Sequence, residues 1–314
     1  MALTIGIDVG GTKVAAGVVD ENGKIIEHLR RPTPAQEPDK VAEVIAEVVR
    51  ELSSRHTVDA VGLGAAGFVD ETRSVLRFAP NLAWREEPLR EKVGALIDLP
   101  VVVENDANAM AWGEYRFGAG RGESHVVCVT VGTGIGGGLV LDGRLYRGRW
   151  GMGAEWGHTQ MVPGGRPCGC GNQGCWERYA SGSALVADVR EAIAADPARG
   201  ARLLEMAGGS LENAEGEVVA AAAHEGDPVA LEAFALLARW LGQGLADLAA
   251  TLDPGCFIIG GGVSRSADLF LDAAREEYAR RVVGRGHRPL AVIKAAELGP
   301  AAGLVGAADL ARTR

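Results

Sequence analysis

Residues 5–12 read IGIDVGGT and residues 127–134 read VCVTVGTG. Each is an apolar run that breaks at a glycine–threonine turn: Ile5 to Val9 before Gly10-Gly11-Thr12, and Val127 to Val131 before Gly132-Thr133-Gly134. Short apolar runs closed by glycine read as buried strands. Two such units, about 120 residues apart, point to a duplicated α/β architecture with a cleft between its halves. Working outward from the first, Val14–Val19, the Asn22-Gly23 turn and Lys24–Leu29 complete an antiparallel meander. Val41, Val44, Ile45, Val48, Val49 and Leu52 then recur at helical spacing within Glu37–Leu52. The first half continues with a strand at Val58–Gly64, a short helix at Pro88–Ile97, a strand at Leu99–Val103 and a helix at Asn105–Tyr115.

The second half opens with strands Val126–Val131, Ile135–Leu141 and Arg144–Tyr146, the last two joined by Asp142-Gly143. Gly151–Cys175 is irregular. Helices follow at Gly182–Ala195, Glu217–Ala223 and Pro228–Leu252, the last read as a core helix. A strand at Cys256–Ile259 runs into Gly260-Gly261-Gly262, before a helix at Ala267–Val282, a strand at Leu290–Lys294 and a closing helix at Ala302–Ala311. No low-complexity linker separates the halves. The expected division is a small domain of residues 1–115 plus about 300–314 and a large one of 116–299, hinged near Tyr115–Glu123.

The length of 314 residues fits about two domains. A composition of 47% hydrophobic and 23% charged residues is that of a globular chain. The net charge of −9 gives no basic footprint for nucleic acid. No uninterrupted apolar run reaches the roughly 20 residues of a membrane helix. The N-terminus enters a strand without a basic region or a cleavage site, so a cytoplasmic location is expected rather than secretion.

Three glycine loops stand at predicted strand ends. In Asp8-Val9-Gly10-Gly11-Thr12-Lys13, glycines let backbone N–H groups approach a phosphate, Thr12 adds a hydroxyl donor, and Asp8 could hold Mg2+ through water. The others are Gly132-Thr133-Gly134 and Gly260-Gly261-Gly262. Neither a Walker A motif nor a strand-to-helix dinucleotide fingerprint occurs. Each loop alone could be a tight turn; three at strand ends favour a phosphate site.

Residues 101–108 read VVVENDAN, a buried strand delivering Glu104, Asn105 and Asp106 to the start of a helix. Asp106 suits a helix cap, and equally a general base that takes a proton from a substrate hydroxyl, with Asn105 bonding a neighbouring hydroxyl. His158, Cys168, Cys170 and Cys175 form a one-His, three-Cys set, with Gly169, Gly171 and Gly174 letting the loop fold tightly around an ion. That donor set is the chemistry of structural Zn2+. Cys128 and Cys256 fall in predicted strands and read as core. Glu155 and Glu177 flank the knuckle, and with His158 they suit a polyhydroxyl ligand, because each accepts hydrogen bonds from hydroxyls.

These motifs resemble the ROK family of repressors, open reading frames and sugar kinases: DVGGTK at 8–13, VENDAN at 103–108, TVGTGIGGG at 130–138, AEWGH at 154–158, CGCGNQGCWE at 168–177 and IIGGG at 258–262. They run in order along nearly the whole chain, and the likeness is strongest to the glucokinases of that family. The resemblance implies an actin-like ATPase (ribonuclease H-like) α/β fold whose two domains close on sugar and ATP. It implies Asp106 as base for the sugar 6-hydroxyl, and Asn105, Asp106, Glu155, His158 and Glu177 as sugar contacts. His158 would serve sugar and Zn2+ through opposite ring nitrogens. Residues 8–13 and 132–134 would hold the phosphates with Mg2+, and 260–262 would lie near the adenosine. Asn81 and the backbone of Gly64–Gly67 would shape the sugar pocket. A homodimer or homotetramer is also implied. The competing readings are a kinase for mannose, fructose or an N-acetylhexosamine, and a sugar sensor without turnover. A DNA-binding repressor is not expected, because Asp8 lies so near the start that no helix-turn-helix domain precedes it.

Overall fold

The computed structural model describes residues 3–79 and 82–313. Its strands are β1 (Thr4–Val9), β2 (Lys13–Val19), β3 (Ile25–Pro32), β4 (Val61–Ala65), β5 (Phe68–Val69), β6 (Leu76–Phe78), β7 (Arg85–Glu87), β8 (Val101–Asn105), β9 (Val126–Val131), β10 (Ile135–Leu141), β11 (Arg144–Tyr146), β12 (Cys256–Gly260) and β13 (Val292–Ala295). Its helices are α1 (Pro38–Ser53), α2 (Leu89–Gly94), α3 (Asp106–Phe117), α4 (Glu177–Ala180), α5 (Gly182–Ala195), α6 (Ala201–Met206), α7 (Gly216–His224), α8 (Pro228–Leu252), α9 (Leu271–Arg281) and α10 (Ala302–Arg312).

One sheet has the order β3-β2-β1-β4-β8, and a second repeats it as β11-β10-β9-β12-β13. In the first, β1 to β3 are antiparallel while β1–β4 and β4–β8 are parallel. In the second, β10–β11 is antiparallel and β12–β13 parallel. The repeat read from residues 5–12 and 127–134 is thus a repeat of sheet order. The small antiparallel sheet β5-β6-β7 is absent from the sequence reading, because strands of two or three residues carry no readable period.

Side-chain alternation sorts the first sheet into two faces. Ile5, Ile7 and Val9 of β1, with Val61, Leu63 and Ala65 of β4, join Val41, Ile45, Val48, Val49 and Leu52 of α1 in one buried cluster. The alternate residues of β1 and β4 are Gly6, Asp8, Gly62 and Gly64, and they face the other way. A Cβ on Gly6 would lie 1.9 Å from the Leu304 carbonyl oxygen, and one on Gly62 would lie 1.8 Å from that of Ala307. The glycines therefore let the α10 backbone lie directly on the sheet. Gly113 of α3 and Gly306 of α10 bring those two helices equally close.

The chain divides into two compact units: residues 1–128, 137–154 and 296–314, and residues 129–136 and 155–295. The first unit takes in β11 and β10 from Gly137 onward, which the sequence reading assigns to the other domain. Within that unit a Cβ on Gly138 would stand 2.4 Å from Cβ of Ala111, and one on Gly151 would stand 2.3 Å from the Val69 carbonyl oxygen. Such approaches are invisible to hydrophobic periodicity. The chain passes between units at 128–129, 136–137, 154–155 and 295–296, not at 115–123 where the sequence places a hinge.

In the second unit α8 is long and apolar enough to cross a membrane, but 61% of its most apolar stretch is buried inside the protein. It is a core helix, capped by the Asp227 carboxylate, which accepts the Val229 and Ala230 N–H groups at 3.0 Å. The helix expected at Ala267–Val282 is shorter: residues Gly262–Leu269 form 3-10 turns, with non-helical backbone at Ser266, before α9 begins.

Candidate active site

In the first unit, register places Asp8 of β1 beside Gly64 of β4, and Gly64 beside Glu104 of β8. All three lie in the row facing α3 and α10. Burial and the negative charge of Asp106 push the Asp8 carboxyl up to about 6, with Lys13 pulling it back. Asp106, the first residue of α3, is also pushed above the usual carboxylate range, because it has lost water. The helix N-terminus does not overcome that loss. Its Oδ1 accepts the Ala107 N–H at 2.9 Å and Asn105 Nδ2 at 3.1 Å. Asn105 is the cap itself: its Oδ1 accepts the Asn108 N–H at 2.9 Å, and its Nδ2 also donates to the Gly67 carbonyl at 3.1 Å. The capping role therefore falls to Asn105, the residue before Asp106.

In the Asp8–Lys13 loop the Gly10 N–H is spent on the Lys13 carbonyl at 3.0 Å, and the Thr33 hydroxyl donates to the Gly10 carbonyl at 2.8 Å. Thr12 and Lys13 are exposed at the turn. Pro80 and Asn81 lie outside the described residues.

In the second unit, His158, Cys168, Cys170 and Cys175 offer ligand atoms all within 4.8 Å of one another. Cys168 Sγ is 3.7 Å from His158 Nδ1, and Cys170 Sγ is 3.6 Å from Cys175 Sγ. A tetrahedral ion with sulfur at about 2.3 Å requires donor–donor edges of about 3.8 Å, so the four groups fit Zn2+. Burial pushes the Cys168 thiol up to about 12, which is the cost that a cation would remove. Gly174 makes the fold of the loop possible, since a Cβ there would stand 1.7 Å from the Val162 carbonyl oxygen.

The knuckle holds Glu177. Buried Trp176 donates its indole N–H to the Trp240 carbonyl at 2.9 Å and fits against Gly244 of α8. Glu177, the first residue of α4, accepts the Cys168 thiol at 3.1 Å through Oε1 and the Ile135 N–H at 3.4 Å through Oε2. It also stands 3.7 Å from His158 Nδ1. Glu155 immediately precedes the 3-10 turn Trp156–His158. That turn rests on the start of β10, where Gly157 allows contact with the Ile135 carbonyl.

The Gly132–Gly134 loop packs on the same elements. The Gly182 N–H donates to the Gly132 carbonyl at 2.7 Å, and a Cβ on Gly134 would stand 2.4 Å from Glu177 Oε2. Gly132 and Thr133, with Gly182 and Ser183 at the start of α5 and Gly262 and Val263, line a cavity of about 1170 Å³. Arg190, Glu215, Glu217, His224 and Arg265 add polar groups to walls that are otherwise largely apolar, with Leu185, Val186, Ala220, Ala221 and Phe234 among them. This volume suits a nucleotide-sized ligand. Of the third glycine loop only Gly262 lines it; Gly260 ends β12, and Gly261, at φ 85°, backs onto Val131. Sequence reasoning missed the α5 and α7 walls. The one available signal was Ser181-Gly182, a helix cap whose side chain accepts the Ala184 N–H.

A family model described as the ROK family matches residues 4–314. The chain belongs to the ROK family. It is 54% identical over 312 residues to a glucokinase of Streptomyces coelicolor, covering 99% of this chain and 98% of that protein. It is 36% identical over 312 residues to a glucokinase of Thermotoga maritima, covering 99% and 97%. A ROK family glucokinase from Streptomyces griseus, solved in complex with glucose and AMPPNP, matches with a TM-score of 0.91 and 53% identity, covering 100% of both chains. The fold is the actin-like ATPase fold of this family, as the sequence motifs imply.

Proposed function

We infer that this chain is an ATP-dependent glucose phosphotransferase that moves the γ-phosphoryl group of ATP to O6 of glucose. The observation that carries the chemistry is Asp106: a desolvated carboxylate of raised pKa, oriented by Asn105 at the start of α3. A carboxylate whose pKa is raised accepts a hydroxyl proton more readily. The names of the full-length relatives support glucose and ATP as the substrates.

In this reading Asp106 takes the O6 proton and Asn105 orients the sugar. Glu155, Glu177 and the His158 nitrogen that faces away from the cysteines accept further sugar hydroxyls. The Thr12 and Thr133 hydroxyls and the glycine-loop amides hold phosphate oxygens, and the cavity beside Gly132 and Gly262 takes the adenosine. Mg2+ arriving with ATP would neutralise phosphate charge, with Asp8 holding its water shell. Zn2+ bound by His158, Cys168, Cys170 and Cys175 would anchor the loop that carries Glu177. Phosphoryl transfer of this kind depends mainly on positioning and electrostatics. We extend the reading, on family likeness alone, to a cytoplasmic homodimer or homotetramer that feeds glycolysis; mass in solution tests the oligomer.

The test is ADP production from Mg-ATP with glucose, mannose, fructose, N-acetylglucosamine and N-acetylmannosamine. Turnover with glucose well above the rest supports the reading, while preference for another sugar moves the specificity and keeps the chemistry. Asp106→Asn should retain fold and sugar binding but lose about 10²-fold or more in kcat. Near-parental turnover in that variant refutes the role of Asp106.

A further inference from the structure

Glu104 stands immediately before the Asn105–Asp106 pair and is only 1% exposed. A buried carboxylate needs partners, and this one has four groups around it. Its Oε1 accepts the Asn105 N–H at 3.0 Å, Asn108 Nδ2 at 3.1 Å and Arg147 Nε at 3.0 Å. Its Oε2 pairs with Arg147 Nε at 2.8 Å and Arg73 Nε at 3.0 Å. Arg147 is itself tied down, donating through Nη2 to the Asp70 carbonyl at 2.9 Å and through Nη1 to that of Glu71 at 3.2 Å. Arg73 accepts the Val103 N–H at 3.2 Å through its own carbonyl.

The cluster bears on the catalytic pair from two sides. Through the Asn105 N–H it holds the backbone of the cap. Through Asn108 it holds the residue whose N–H the Asn105 side chain accepts. Asn105 in turn donates to Asp106 Oδ1. An unbroken hydrogen-bonded path thus runs from Arg147 through Glu104 and Asn105 to the reacting carboxylate. Such outer partners fix an active group to fractions of an ångström, and misplacement by about 1 Å can cost about 10²-fold in rate.

We propose that Glu104, held by Arg147 and Arg73, is the positioning residue of the Asn105–Asp106 pair, acting on the reaction only through it. The inference rests on Asp106 as the base. Its test is the rate per folded molecule of Glu104→Gln, Arg147→Met and Glu104→Gln/Arg147→Met. Each is made alone and in the Asp106→Asn background, with folding checked by thermal unfolding and nucleotide binding. In the parent background each variant should lose about tenfold or more in kcat, with the KM for ATP changed less than about threefold. The double variant should fall no further than the worse single one. In the Asp106→Asn background the same changes should cost much less, the remainder passing through Asn105.

Two results overturn the proposal: an unchanged kcat in folded Glu104→Gln and Arg147→Met proteins, or an equal loss in both backgrounds. If Glu104→Gln fails to fold, Arg147→Lys decides. It keeps the charge but loses the fork to the two carbonyls, and should show a partial kcat loss that also shrinks in the Asp106→Asn background. Near-parental turnover of Asp106→Asn alone marks failure of the functional reading itself rather than of this inference.

Discussion

Asp8→Asn should make the protein more stable, less active, and more stable only where Asp8 would be ionised. Burial and the Asp106 charge raise the Asp8 carboxyl from 3.8 to about 6. Each unit is worth about 1.4 kcal/mol, so ionising Asp8 in the folded chain costs up to about 3 kcal/mol. Water still reaching this half-buried side chain trims that to about 2 kcal/mol. The folded protein binds the proton more tightly than the unfolded chain. Stability from this group is therefore full below 3.8 and is lost as pH rises through about 6. Above that range the parent carries the whole cost and the amide carries none. Urea unfolding followed by tryptophan fluorescence should show the two proteins alike near about pH 4, with the variant ahead by about 2 kcal/mol near about pH 8. Turnover with Mg-ATP should fall at the same time, because stability is being gained at a site strained for function. A gain equal at both pH values, or a loss at the higher one, refutes the reasoning.

Cys170→Ser should release the metal and weaken glucose binding together, since the knuckle carries Glu177; metal analysis alongside calorimetric titration checks it, and full glucose affinity in metal-free protein would reduce the knuckle to scaffold. Gly134→Ala should push the Glu177 carboxylate away, because the new Cβ would stand 2.4 Å from Oε2; KM values for both ATP and glucose should rise. Gly306→Ala should cost about 3 kcal/mol or abolish folding, since its Cβ would meet the Ala109 carbonyl oxygen at 1.8 Å and backbone cannot yield as a side chain can. Thermal unfolding reads it directly.

The motifs on which the proposed chemistry rests are legible in the chain. The strand–glycine repeats at 5–12 and 127–134, the one-His, three-Cys set and the Asn105–Asp106 pair are local patterns whose residue types state their chemistry. The boundaries of β9, β10, β11, α5 and α8 follow the sequence reading closely, because each is a long periodic run or lies between clear turn residues. The short strands β5 to β7 and the one-turn helix α4 were not legible, since elements of two to four residues have no period.

What the sequence determined by itself was most of the longer elements and the candidate reactive groups, because both depend on neighbours a few residues apart. What only the tertiary structure decided was which groups meet across long separations. Gly306 lies on Ala109, Arg147 reaches Glu104, and Gly182 and Gly262 line one cavity with Thr133. Nothing local distinguishes Glu104 in VENDAN as a partner of two arginines, or Asp8 in DVGGTK as a carboxylate whose pKa is raised by burial and by a second carboxylate. Those properties arise from burial and from charges brought together by folding, and no window along the chain contains them.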